Sequence, residues 1–170
     1  MTICVLVGIP GSGKSTIGKE LAKKMKVKFV DTDREIEIKA GKSVGEIFIE
    51  DGEAAFRELE KAVVLESLKQ EKTVVSLGGG SVLDQEVRLE LLNHRTYWID
   101  TSINNALKRT GSNTNRPLLL DSPRSTLKRL LEERSEFYAE VATKKILTES
   151  KSIKLITDEI YSDLAEVNQI

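Results

Sequence analysis

The chain has one cysteine, Cys4, and one histidine, His94, in 170 residues. A single thiol excludes an internal disulfide, and without a cysteine–histidine cluster there is no zinc-binding pattern. Cys4 stands inside an apolar run and reads as a small buried hydrophobe rather than a reactive thiol. An excess of one charge is also lacking. With 26 Lys+Arg against 27 Asp+Glu the net charge is −1, so no global field recruits nucleic acid or an anionic membrane. Any attraction for an acidic ligand must be local. No apolar stretch approaches the roughly 18 residues that mark a membrane span. The N-terminus enters a strand pattern with no charged n-region, long apolar h-region or cleavage site, and the expectation is a soluble cytoplasmic protein. There is no N-K-x-D guanine signature, which argues against a GTPase switch. No internal repeat is present, and the length suits one domain spanning 1–170.

What is present is concentrated near the start. Residues 8–15 read GIPGSGKS, which fits G-x-x-x-x-G-K-[ST], the phosphate-binding P-loop. The context fits too. Ile3, Cys4, Val5, Leu6 and Val7 precede it as one buried strand, and Ile17, Leu21, Ala22 and Met25 follow at helical spacing. Glycines let the main chain wrap a polyphosphate with its N–H groups inward, and the helix behind offers unpaired N–H groups to the same anion. Gly11, Ser12, Gly13, Lys14, Ser15 and Thr16 are therefore nucleotide-binding candidates. Lys14 should reach the β- and γ-phosphates, and the Ser15 hydroxyl should ligate an accompanying Mg²⁺.

Beyond the P-loop, short apolar runs alternate with helical patterns. This predicts an α/β protein with a parallel sheet covered on both faces, a three-layer α/β/α arrangement. Strands are expected at 3–7, 28–31, 73–77, 95–100 and 144–148. Helices are expected at 15–26, 35–40, 44–49, 53–70, 85–92, 103–110, 124–133, 134–142 and 153–167. The last should dock on the sheet through Ile153, Ile156, Ile160, Leu164 and Val167. Residues 111–123, GSNTNRPLLLDSP, break the pattern. The segment is either an ordinary surface loop or a lid over the site, and Arg116 within it favours a lid in a nucleotide enzyme.

Ligands of an open parallel sheet sit beyond the carboxyl ends of its strands. The second strand ends at Asp31-Thr32-Asp33, where one carboxylate can hold the metal's water shell and the other a substrate hydroxyl. Capping of the next helix is the alternative. The third strand offers no acidic residue and runs into Gly78-Gly79-Gly80, either a flexible turn or a place where a ligand approaches the main chain. Arg57 can pair with Glu53 and Glu60 on a solvated helix face, and Arg134, within EERSE, has the same alternative. His94 is expected in a surface turn, and Trp98 in or beside the sheet.

Together these pieces resemble the shikimate kinase family. GIPGSGKST, DTD, VGEIFIEDGEAAFRELE, LGGG, RTGSNTNRPLL and ERSEFY stand in the family's order and cover the chain to about Thr148. The resemblance implies transfer of the ATP γ-phosphoryl group to the 3-hydroxyl of shikimate, with Mg²⁺, in aromatic amino-acid biosynthesis. It implies a nucleoside-monophosphate-kinase-like fold with strand order 2-3-1-4-5. The substrate region would span about 32–62, the lid about 111–123, and the enzyme would act as a monomer. Asp33 would hold the shikimate hydroxyls and serve as base, and Asp31 would lie by the Mg²⁺ shell. Arg57 and Arg134 would clamp the carboxylate beside Gly78, Gly79 and Gly80. Arg116 would act from the lid on the transferring phosphates, and Arg109 would lie against adenine. The loop 148–152 departs from the family in lacking an arginine and a proline; Lys151 is the residue there that could flank the nucleotide. A gluconate-type kinase and a non-catalytic nucleotide-binding module are the competing readings.

Overall fold

The computed structural model describes residues 2–110 and 122–168. Five strands, β1 (Cys4–Val7), β2 (Lys28–Asp31), β3 (Thr73–Ser76), β4 (Thr96–Asp100) and β5 (Lys144–Leu147), form one parallel sheet in the order β2-β3-β1-β4-β5. Burial follows position. β1 and β3 are buried at every residue and β4 at all but its last, as strands covered on both faces must be, whereas the edge strands β2 and β5 are partly exposed.

Successive side chains of a strand point to opposite faces, so one strand feeds two cores. Val5, Val7, Val75 and Trp98 pack with Val64, Leu68, Leu127, Leu130 and Tyr138, residues of helices α4 (Gly52–Leu68) and α7 (Pro123–Val141). Cys4, Leu6, Val74, Tyr97 and Ile99 pack with Ile17 and Leu21 of α1 (Lys14–Met25) and with Ile156, Ile160 and Leu164 of α8 (Ile153–Asn168). Burial pushes the Cys4 thiol up to about 12, which fits a packing role. A third, smaller core of Ile36, Ile47, Phe56 and Val63 joins α4 to α2 (Thr32–Ala40) and α3 (Val44–Glu50). That cluster holds the three helices together beside the carboxyl end of β2. The remaining helices are α5 (Gln85–Leu91) and α6 (Ile103–Thr110).

Several sequence expectations need correction. The two helices expected at 124–133 and 134–142 are one continuous helix, α7; nothing in EERSE breaks it, and Pro123 sits at its first turn, where a missing N–H costs nothing. α2 begins at Thr32 rather than 35, because Asp31 caps it by accepting from the Asp33 N–H at 3.1 Å. Val167 is 55% exposed, so the docking stripe of α8 ends at Leu164. His94 does sit in the turn before β4, but its side chain is sheltered, with Nε2 3.1 Å from Glu90.

Opposite the site, at the amino ends of β4 and β5, Asp163 of α8 gathers Arg95 at 2.6 Å, the Tyr97 hydroxyl at 2.6 Å and Lys144 at 3.1 Å. Burial alone would raise this carboxyl, but the three donors outweigh it and hold it at about 2. A depressed carboxyl stabilises the fold above its unfolded value of 3.8 and ceases to do so as pH falls through about 2. Asp163→Asn is therefore expected to lower stability by about 1–2 kcal/mol at neutral pH. In urea melts the difference from wild type should vanish at strongly acidic pH.

Candidate active site

The P-loop connects β1 to α1 and closes the carboxyl end of the central strand. Gly11 and Gly13 have φ of +78° and +92°, values that suit glycine. Space adds a second demand: a Cβ on Gly11 would lie 2.6 Å from the Ala106 carbonyl. Arg109 braces the loop by donating to the carbonyls of Gly11 at 3.3 Å and Ser12 at 3.0 Å. Lys14 is buried, and its ammonium donates to the carbonyls of Gly8 (2.8 Å) and Ile9 (3.0 Å) and to Ser12 Oγ (3.2 Å). The Ser15 hydroxyl donates to Asp31 Oδ2, and Thr16 lies exposed on the first turn of α1.

Asp31 performs the capping role that the sequence left open. One carboxylate oxygen caps α2 and the other faces Ser15. Asp33, one residue beyond Thr32, hangs over the end of β3. Thr32 itself is buried, and its Oγ1 accepts from the Gly78 N–H at 3.1 Å, fixing β3's continuation to the start of α2.

Gly78, Gly79 and Gly80 are not among the residues with positive φ, so conformational freedom does not explain them. Space does. A Cβ on Gly78 would lie 2.5 Å from Asp33 Oδ1 and 3.0 Å from Glu60 Oε2. One on Gly79 would lie 3.1 Å from the Gly8 carbonyl, 3.1 Å from Pro10 Cδ and 3.2 Å from Arg134 Nη1. One on Gly80 would strike the Arg57 guanidinium. The bare backbone of this strip is the surface on which Asp33, Arg134 and Arg57 converge, with the P-loop against its middle residue. A cleft of about 520 Å³ opens here, lined by Lys14, Ser15, Asp31, Asp33, Gly78 and Gly79. A second hollow of about 500 Å³ includes Arg57, Glu60 and Gly80.

The two arginines differ in their electrostatics. Arg57 pairs with Glu60 at 2.7 Å and with Glu53 at 3.5 Å, the partners that helical spacing predicts. The face is solvated only on the Glu53 side; the Glu60 side chain is only 5% exposed. Burial pushes the Glu60 carboxyl above its ordinary value despite the opposing pull of Arg57, and the negative charge of Asp33 adds to the rise. Arg134 is 4% exposed; its Nε has no hydrogen-bond partner, and no carboxylate forms an ion pair with it, among the described residues. Burying a guanidinium without a carboxylate partner carries a desolvation cost that a bound anion would offset.

Of the residues singled out from sequence, the structure brings together Gly11, Ser12, Gly13, Lys14, Ser15, Asp31, Asp33, Arg57, Gly78, Gly79, Gly80, Arg109 and Arg134. The Lys151 ammonium pairs with Glu159 of α8 at 2.7 Å. Arg116 and the segment 111–121 lie outside the described residues. Sequence reasoning missed Thr32 and Tyr138. The latter stands one turn beyond Arg134, a spacing that puts both on one helix face.

The family model for shikimate kinase matches residues 10–165. The chain belongs to the shikimate kinase family. Its similarity to individual shikimate kinases runs nearly end to end. It is 44% identical to that of Thermobifida fusca over 162 residues, covering 95% of this chain and 94% of the relative. It is 45% identical to that of Salinispora tropica, covering 93% and 95%. Among solved structures, a shikimate kinase from Acinetobacter baumannii in complex with shikimate superposes with a TM-score of 0.92 at 33% identity, covering 96% of this chain and 92% of that one. A gluconokinase from Sinorhizobium meliloti, at 20% identity and a TM-score of 0.62, shares the fold. The chain is accordingly an ATP-dependent phosphotransferase with an alcohol group as acceptor.

The glycine geometry separates two kinds of defect. Gly80→Ala is obstructed by a flexible guanidinium, so the protein should fold while Arg57 is displaced. Steady-state kinetics should show the acceptor KM raised roughly five- to tenfold, the worth of a displaced charged hydrogen bond, with the ATP KM unchanged. Gly11→Ala meets a backbone carbonyl and should raise the ATP KM instead.

Proposed function

We propose that the cleft transfers the γ-phosphoryl group of ATP to the 3-hydroxyl of shikimate, giving shikimate 3-phosphate and ADP in aromatic amino-acid biosynthesis. The observation that carries the reading is a buried Arg134 with no carboxylate partner among the described residues, set at Gly79 between Asp33 at Gly78 and Arg57 at Gly80. Shikimate is a ring carboxylate with three hydroxyls. Guanidinium forks suit the carboxylate, and Asp33 suits a hydroxyl on the side of the ring nearer Lys14.

In this scheme the P-loop amides at Gly11, Ser12, Gly13, Ser15 and Thr16 cradle the ATP phosphates, and Lys14 moves its ammonium from the loop carbonyls to the β- and γ-phosphates. Asp33 accepts the hydrogen bond of the attacking 3-hydroxyl and takes its proton as the new P–O bond forms and the bond to ADP breaks. Ser15 and Asp31, adjacent oxygen donors beside Lys14, fit Mg²⁺, which prefers such ligands and completes its shell with phosphates and water. When bound, the ion neutralises phosphate charge. Arg109 braces the P-loop and flanks the nucleotide. Lys151 would have to exchange Glu159 for the nucleotide to contribute. Arg116, assigned from its RPLL context within 111–123, supplies positive charge from a lid and helps exclude water. Residues 32–62 form the substrate region of a single domain acting as a cytoplasmic monomer, without nucleic-acid or membrane partners. No helix among the described residues is long and apolar enough to cross a membrane.

A coupled assay should show ADP release that requires both shikimate and Mg²⁺, with gluconate and nucleoside monophosphates inert; shikimate-independent or absent turnover would overturn the reading. Arg134→Ala should raise the shikimate KM on the order of 10²-fold. Lys14→Ala and Arg116→Ala should depress kcat by about 10² or more. Asp33→Asn should lose most activity while its thermal transition stays near wild type.

A further inference from the structure

The side chain that ties the glycine strip to the arginine helix has no place in the scheme above. Tyr138 is fully buried and packs against Trp98, with ring centroids 5.7 Å apart. Its hydroxyl donates to the Gly79 carbonyl at 2.7 Å. Burial pushes this phenol up to about 12, so it remains a donor throughout the working range. Gly79 is the residue where the two halves of the cleft meet: the Gly8 carbonyl, Pro10 and Arg134 all crowd the space its missing side chain would fill.

A glycine carbonyl held at one atom has a particular consequence. The peptide unit is planar, and no peptide here is cis. Fixing the Gly79 carbonyl therefore fixes the Gly80 N–H, which points the opposite way, away from Tyr138. The carbonyls on either side are held by main-chain donors, Gly78 by the Ser81 N–H at 3.1 Å and Gly80 by the Leu83 N–H at 3.0 Å, so Tyr138 holds the carbonyl between them. The same bond ties α7 to the strip, and Arg134, one helical turn before Tyr138 on the same face, interacts electrostatically with its hydroxyl.

We infer that Tyr138 is a positioning residue for the acid acceptor. Its hydroxyl orients the Gly79–Gly80 peptide and, through α7, sets Arg134 at the height where it and Arg57 can share one carboxylate. The inference rests on the shikimate reading of the site, and it assigns Tyr138 no contact with substrate.

Tyr138→Phe removes one oxygen and keeps the ring against Trp98, so the fold should survive. The expected result is a roughly tenfold rise in the shikimate KM, the scale of one buried hydrogen bond. The ATP KM should stay within about twofold, since the Tyr138 hydroxyl donates to the glycine strip and to no P-loop group. Calorimetric titration of shikimate should show the same loss of affinity without turnover. An unchanged shikimate KM and affinity would overturn the inference. So would parallel losses in both KM values and kcat accompanied by a large fall in Tm, the signature of general loosening. Wild type run alongside keeps the two levels apart: if wild type lacks shikimate-dependent turnover, the reading of the site fails, and if wild type is active and Tyr138→Phe matches it, only the role of Tyr138 fails.

Discussion

The arrangement depends on a stretch of main chain with no side chains. Gly78, Gly79 and Gly80 leave β3 and let Asp33, Arg134 and Arg57 reach a common surface from three separate helices. The constraint is one of volume, not of backbone conformation. Any Cβ on the strip would occupy space already taken by a carboxylate, a guanidinium or the P-loop carbonyl of Gly8. Because the middle glycine also abuts the P-loop, the strip sets how far an acceptor lies from the phosphates. In phosphoryl transfer, where positioning and charge stabilisation dominate catalysis, that separation governs whether the acceptor oxygen meets the γ-phosphorus.

Charge is distributed to match. Arg57 is already paired with Glu60, and the pair is sheltered enough that the carboxyl is pushed above its ordinary value. Arg134 is buried more deeply and lacks a carboxylate partner among the described residues. In the proposed reading, a carboxylate ligand would complete the second arginine and share the first. The gain on binding is then large, because it cancels a desolvation cost borne by the free protein. At the other end of the cleft, Lys14 and the Ser15–Asp31 pair supply the groups that a phosphate and a divalent ion require.

Much of this was legible in the residues alone. The P-loop announced itself because its glycines, lysine and serine sit at fixed spacing between a strand and a helix. The five strands fell where short apolar runs stood, and their order agreed with the family resemblance. The sites at the strand ends followed from the rule for open parallel sheets. Other features were hidden because sequence spacing reports one dimension. Helical periodicity paired Arg57 with Glu60 but could not show that the pair is buried. Nothing in EERSE distinguishes a solvated charge run from a helix face that carries a buried Arg134. Asp31 looked like a cap or a metal-site residue, and only coordinates show one oxygen capping α2 while the other accepts from Ser15. The supposed break at 134 failed because the sequence there has neither proline nor glycine to interrupt α7.

A crystal structure with ADP, Mg²⁺ and shikimate bound would test the central claim most directly. The account predicts the shikimate carboxylate between the guanidinium groups of Arg57 and Arg134, the ring lying along Gly78 to Gly80, and the 3-hydroxyl within hydrogen-bond distance of Asp33 on the side facing Lys14. A carboxylate bound away from Arg134, or a 3-hydroxyl directed away from the P-loop, would contradict it.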